Sequence, residues 1–137
     1  MKTKDKLEIH ELLSRAAYYF DVRNEDGLAA CFTEDCPMRV NIGADVKLGP
    51  FDGRDAIMDL MRGSWDAQTD VRRHIICDFI FESASKNEAT VVSTLVVSAV
   101  DGDAIALVTS GVYTDRVTKA GDGWQIAERQ LDLDKGF

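Results

Sequence analysis

The chain has 137 residues, 45% of them apolar, with 24 Asp plus Glu against 16 Lys plus Arg. That length suits one domain with a real core and excludes two independent ones, and the apolar share excludes a disordered chain. The acidic balance, unbroken by any Lys/Arg cluster, argues against a nucleic-acid backbone or an anionic membrane as partner.

Taken in order, Ile9, Leu12, Leu13, Ala16, Ala17 and Phe20 recur at helical spacing, while Glu8, Glu11 and Arg15 occupy the other side. This pattern predicts an amphipathic helix over 7–20 that reaches Asp21. Asn24 reads as an N-cap, with Glu25 and Asp26 in the first turn, where a helix dipole favours carboxylates. A second helix is expected over 25–32, carrying Leu28, Ala29 and Phe32 inward. Pro37 stops it, because proline cannot continue a helix and restricts the residue before it.

Met38 to Ile42 and Val46 to Leu48 then read as two short strands around Gly43-Ala44-Asp45, and 49–53 as a loop. A third helix is expected over 54–62, with Ala56, Ile57, Leu60 and Met61 buried and Gly63 ending it. The stretch 64–70, polar around Trp65, reads as a connection. From Arg73 the period changes to two. Ile75, Cys77, Phe79 and Phe81 are expected on one face of the first long strand, and His74, Ile76, Asp78 and Ile80 on the other. Further strands are expected over 90–100, 104–117 and 124–131, joined by Ser85-Lys86-Asn87-Glu88, Asp101-Gly102-Asp103 and Gly121-Asp122-Gly123. Short connections between sequential strands predict an antiparallel meander. Helices followed by a meander define an α+β domain spanning 1–137, with three N-terminal helices gathered on one face of a curved, mostly antiparallel sheet. The mouth of such a sheet is where a ligand pocket is expected.

Cys31, Cys36 and Cys77 are odd in number and lack C-x-x-C spacing, so neither a disulfide framework nor a thiolate zinc site is indicated. A reduced cytoplasmic location is the expectation. Residues 1–8 have no apolar stretch of a leader, and no window approaches the ~20 apolar residues of a membrane span. No metal or nucleotide motif occurs, so no cofactor is expected.

Asp21, Phe32-Thr33-Glu34-Asp35, Gly53-Arg54-Asp55-Ala56-Ile57, Arg73-His74 and Gly111-Val112-Tyr113-Thr114-Asp115 leading to Gly123-Trp124 form an ordered set covering nearly the whole chain. In that order and spacing they resemble the SnoaL-like family of the cone-shaped superfamily named after nuclear transport factor 2. The branch most similar is that of scytalone dehydratase and bile-acid 7α-dehydratase. The resemblance implies a cofactor-free pocket for a small, ring-bearing or polyketide-like carbonyl compound. It implies a lyase or isomerase of dehydratase, isomerase or cyclase type, working by general acid/base chemistry. In that branch the pair is an Asp at the end of the first helix and a His at the start of the first long strand, positions held here by Asp21 and His74.

The usual helper residues of the branch are replaced. Phe20 stands where scytalone dehydratase has a Tyr, and Ala16 falls near the Tyr of the bile-acid enzyme. Val40 falls at another pocket Tyr, Val97 near an acid beside Ser98, and Leu133 near an Arg. Two readings follow: a drier pocket for a less oxygenated substrate, or a site that binds without catalysis. The second would make the chain a ligand-binding or assembly subunit, as the β subunits of ring-hydroxylating dioxygenases use this fold. Tyr18, Tyr19 and Tyr113 are the candidate phenolic donors.

Each assignment has a plainer counterpart. Asp21 also suits a loop cap between two helices, His10 beside Glu11 has no evident role, and Trp124 suits core packing. Asp35 reads as a turn cap, and Asp115 with Arg116 as a solvated rim. Arg129 suits either a ligand carboxylate or oxyanion, or an exposed cross-strand ion pair. The substrate-binding set is Tyr18, Phe20, Val40, Val97, Tyr113 and Arg129. The open face of a curved sheet predicts self-association, as a homodimer or homotrimer.

Overall fold

The computed structural model describes residues 1–121 and 123–137. Three helices, α1 (Thr3–Asp21), α2 (Glu25–Ala30) and α3 (Arg54–Ala67), accompany six strands: β1 (Pro37–Ile42), β2 (Val46–Asp52), β3 (Val71–Ala84), β4 (Glu88–Asp101), β5 (Ala104–Ala120) and β6 (Gly123–Leu133). The strands form one sheet in the order β2-β1-β6-β5-β4-β3. The last four strands are the expected antiparallel meander, and β1 joins β6 in parallel. The α+β class with three helices on a curved, mostly antiparallel sheet is therefore the observed architecture. The turn expected at Gly121-Asp122-Gly123 includes Asp122, which lies outside the described residues.

Core packing follows the two periodicities. Helix α1 buries Ile9, Leu12, Leu13 and Ala16 against inward-facing Val91, Leu95 and Val117 of the sheet, with Phe32, Ile57 and Ile126 completing the core. Burial of each such side chain is worth about 1.5–3 kcal/mol. The helix starts earlier than expected because its first turn is anchored. Asp5 accepts hydrogen bonds from Lys119 Nζ at 3.1 Å and Trp124 Nε1 at 3.2 Å.

Several boundaries differ from the sequence reading, those of α2, β2 and α3 each for a local reason. Asn24 does cap α2, its side chain accepting from the Gly27 amide at 2.9 Å. The helix stops at Ala30 because Cys31 and Thr33 exchange backbone bonds with Ile126 instead. Gly49–Asp52 is not a loop but part of β2, an edge strand where Pro50 is tolerated. Gly63 does not end α3. The helix runs on to Ala67 because Trp65 is buried and its indole N–H donates to the Phe20 carbonyl at 2.9 Å. In β3 the strict alternation fails at a bulge between Cys77 and Ile80, where Asp78 has φ 55°. Before it, His74 and Ile76 turn towards the helices; after it, Phe79 and Phe81 do, so exposed Ile75 shares no face with them.

Gly111 has a packing reason. A Cβ there would meet the Asp132 carbonyl oxygen at 2.5 Å, so only glycine permits this approach of β5 to β6.

Candidate active site

Asp21 is the last residue of α1 and His74 the fourth of β3. Strand β3 is an edge of the sheet, leaving alternate amides without a strand partner. Asp21 uses one oxygen to accept the His74 backbone N–H at 2.8 Å and the other to meet His74 Nδ1 at 2.6 Å. Both side chains are nearly buried, 5% and 9% exposed. Both oxygens thus serve His74, while the amides of Val22, Arg23 and Asn24 go to backbone carbonyls of α1, so Asp21 does not cap the loop between the two helices. With Nδ1 engaged, Nε2 is the nitrogen left for a ligand.

His74 lines a cavity of about 610 Å³. Its walls are Ala16 and Phe20 of α1, Leu28 of α2, Leu60, Met61 and Ser64 of α3, Met38, Val40 and Ile42 of β1, and Leu95, Tyr113, Arg129 and Leu131 of the sheet. That volume lies within the range of small-molecule sites, and the lining is mostly apolar with a few convergent polar groups. The Phe20 ring meets the His74 ring edge-on at 4.8 Å between centroids and so shapes the dyad's surroundings.

The site residues expected from sequence are distributed as follows. His74, Phe20, Val40, Tyr113 and Arg129 line the cavity. Val97 does not; it is fully buried and pairs directly with His74 across β3 and β4, packed beside it. Tyr18 is 60% exposed and borders a second, outer groove with Asp21, Arg73 and His74, so His74 lies between the two hollows and Asp21 stands behind it, outside the cavity lining. Of the three tyrosines, Tyr113 is the one on the cavity wall. His10 packs on Phe79, at 4.3 Å between ring centroids, away from the cavity lining.

Asp115 overturns the expected solvated rim: it is 0% exposed. It faces Arg129 directly across β5 and β6 and receives Arg129 Nε at 2.7 Å and Nη2 at 3.0 Å. Arg129, 7% exposed, is accordingly a buried cross-strand partner rather than an exposed one. Burial opposes its charge, but Asp115 more than compensates and holds the guanidinium protonated. Burial pushes the Tyr113 phenol up, with Arg129 pulling it back and Asp115 and Asp21 adding to the rise. The Cys36 thiol is pushed up to about 12 by burial, which leaves it a poor nucleophile.

Arg72, Gln68 and Ser64 also line the cavity and were not singled out from sequence. Two of them fell in a stretch read as a connection, and the signal that could have found them was Trp65, an aromatic at helical spacing from Met61. Arg72 is held by Asp70 at 2.8 Å, and its guanidinium lies 4.8 Å from the Phe137 ring centroid. Among the described residues no group of three or more His, Cys, Asp or Glu side chains could hold a metal ion. No helix among them is long and apolar enough to cross a membrane.

A curved, mostly antiparallel sheet with three helices across its mouth is the cystatin-like, nuclear transport factor 2-like fold. The SnoaL-like domain family matches residues 1–130, and the chain belongs to it. Similar structures include a protein of unknown function with a cystatin-like fold from Nostoc punctiforme, 24% identical over 98% of this chain and 94% of that one, with a TM-score of 0.82. The β subunit of benzoate 1,2-dioxygenase from Burkholderia mallei is 20% identical over 98% and 93%, with a TM-score of 0.81. A candidate scytalone dehydratase from Novosphingobium aromaticivorans is 24% identical over 96% and 88%, with a TM-score of 0.73. These likenesses establish the shared fold. No curated protein matches the sequence.

Proposed function

We propose that the protein is a cofactor-independent lyase or isomerase acting on a small, hydrophobic, ring-bearing carbonyl compound, with His74 as general base and acid and Asp21 as its partner. The observation that carries this reading is the 2.6 Å contact between Asp21 and His74 Nδ1 at the wall of an open cavity. Nε2 takes the proton from the carbon next to the carbonyl, and the electron pair moves into an enolate. In an elimination the imidazolium then returns that proton to the departing hydroxyl, which leaves as water. In an isomerisation it returns it to a different carbon. Asp21 holds the Nδ1–H tautomer and stabilises the imidazolium, a service general acid/base catalysis turns into about 10²–10⁴-fold. Phe20 and Val40 supply the apolar walls against the ring, and Tyr113 on the same cavity wall is the candidate donor for the carbonyl oxygen.

The alternative, a binding or assembly subunit of the dioxygenase β-subunit kind, would suit a cavity closed by side chains. The open volume beside the dyad favours catalysis. The test is whether the protein speeds exchange of the hydrogens next to the carbonyl of a cyclic ketone. If His74→Ala leaves that exchange intact, the mechanism is wrong.

Self-association belongs to the same proposal. It is supported by exposed apolar side chains on the outer face of the sheet, among them Ile105 and Leu107, each 73% exposed.

A further inference from the structure

Arg129 is a buried cation in the cavity wall whose strongest bonds are already committed. Two of its nitrogens meet the two oxygens of Asp115 in a bidentate pair, and such a pair fixes the guanidinium plane as well as its charge. Two residues before Asp115 on the same face of β5 stands Tyr113, and the Arg129 guanidinium carbon lies 4.0 Å from its ring centroid. That distance is cation-π contact, so the guanidinium held by Asp115 supports one face of the phenol ring. Tyr113 is only 8% exposed and lines the cavity, yet its hydroxyl makes no hydrogen bond among the described residues. The hydroxyl oxygen is not among the polar atoms shut off from solvent, so a partner can reach it, and the cavity is where one can come from. Burial also keeps the phenol protonated, hence a donor, through the neutral range.

The other charges of the wall bear on what that partner is. Arg72 is taken by Asp70 and His74 by Asp21. Each cationic or titratable nitrogen group facing the cavity thus has a carboxylate beside it, so a ligand carboxylate would meet no unneutralised charge, only the N–H groups of Arg129 Nη1 that Asp115 leaves uncommitted.

We propose that Asp115 and Arg129 form a fixed platform that aims the Tyr113 hydroxyl at the oxygen of an uncharged carbonyl ligand, with Arg129 a positioning residue and not a carboxylate receptor. This rests on the reading of the cavity as a ligand site and deepens it by naming the ligand's charge and the group that holds its oxygen. Tyr113 recognises the oxygen while the apolar walls recognise the ring.

The experiment compares three probes on one bicyclic frame by calorimetric titration: 2-tetralone, its hydrocarbon tetralin, and 1,2,3,4-tetrahydro-2-naphthoate. The ketone is expected to bind about tenfold more tightly than the hydrocarbon, the gain of one hydrogen bond to a buried donor, and the carboxylate more weakly than the ketone. Tyr113→Phe should erase the ketone's advantage. Replacing the pair together, Asp115→Leu with Arg129→Met, should erase the same advantage, and adding Tyr113→Phe to it should cost nothing further, because Arg129 acts through Tyr113. Arg129→Lys keeps a charge for Asp115 but loses the planar stack, and it too should lose the advantage, which keeps the test open if the double variant fails to fold. An advantage that survives Tyr113→Phe or Arg129→Lys, additive losses in the cycle, preferential binding of the carboxylate, or no binding of the ketone at millimolar concentration would each overturn the proposal. The assay reads binding and not turnover. A protein that prefers the ketone through Tyr113 but does not exchange its hydrogens would overturn the catalytic reading alone, so the two readings fail separately.

Discussion

Asp21 commits both carboxylate oxygens to one residue, and Asp115 does the same. The first leaves an imidazole nitrogen free for a ligand, whereas the second neutralises a guanidinium of the cavity wall and fixes its plane. Removing one member of the buried Asp115-Arg129 pair strands an uncompensated charge. Arg129→Met alone is expected to lower unfolding free energy by about 3–5 kcal/mol, while Asp115→Leu with Arg129→Met should lie close to wild type or above it. Urea denaturation followed by circular dichroism measures both, and a single variant as stable as the double would contradict the account. The sequence held part of this. Tyr113, Asp115 and Val117 share strand parity, so a buried Asp115 was readable from its neighbours; its charge alone suggested a solvated rim. Asp21 and His74 are 53 residues apart, and no periodicity pairs residues at that distance. Only the order of motifs resembling the SnoaL-like family brought them together.

Among the secondary-structure elements, type and order were legible wherever a period ran uninterrupted, as in α1 and in β4, whose odd-numbered residues from Ala89 to Ala99 are all buried. Boundaries failed where a tertiary contact outweighed local propensity. Gly63 is a good helix terminator by type, yet the buried Trp65 and its bond to the Phe20 carbonyl carry α3 past it. The bulge at Asp78 turns β3 over, which no alternation pattern anticipates. It is also why His74 can face the cavity while Phe79 and Phe81 face His10. Since Gly63 sits inside a helix with nothing within 4 Å of an added Cβ, Gly63→Ala should stabilise the fold by about 0.5–1 kcal/mol. Thermal unfolding should show a Tm higher by a few degrees; an unchanged or lower Tm would mean that the helix at Gly63 is not continuous.

For the molecule as a whole, the sheet has an inner face that makes core and cavity and an outer face that carries an apolar patch. Val71, Val100 and Ile105 align in one row across β3, β4 and β5, and Ile75 pairs with Val96 nearby. Val71 is 56% exposed and Ile75 49%. A patch of this kind on a sheet face is the expected seat of a second copy. Sedimentation velocity should find a dimer or trimer at micromolar concentration, moving towards monomer in Leu107→Glu with Ile105→Glu. A wild-type monomer, or an assembly unmoved by both substitutions, would contradict this use of the outer face. The pattern of apolar residues made that face readable, whereas the cavity volume was not, because it depends on how far three helices stand off a curved sheet.

The central claim is that His74, held by Asp21, moves a proton at carbon inside the cavity. Its most direct measurement is proton NMR of 2-tetralone in deuterium oxide at neutral pH, following loss of the signals next to the carbonyl. The account predicts exchange well above the buffer rate with the wild-type protein, reduced about 10²–10⁴-fold by His74→Ala and strongly reduced by Asp21→Asn. Exchange at the buffer rate with the wild-type protein, or exchange that His74→Ala leaves untouched, would contradict it.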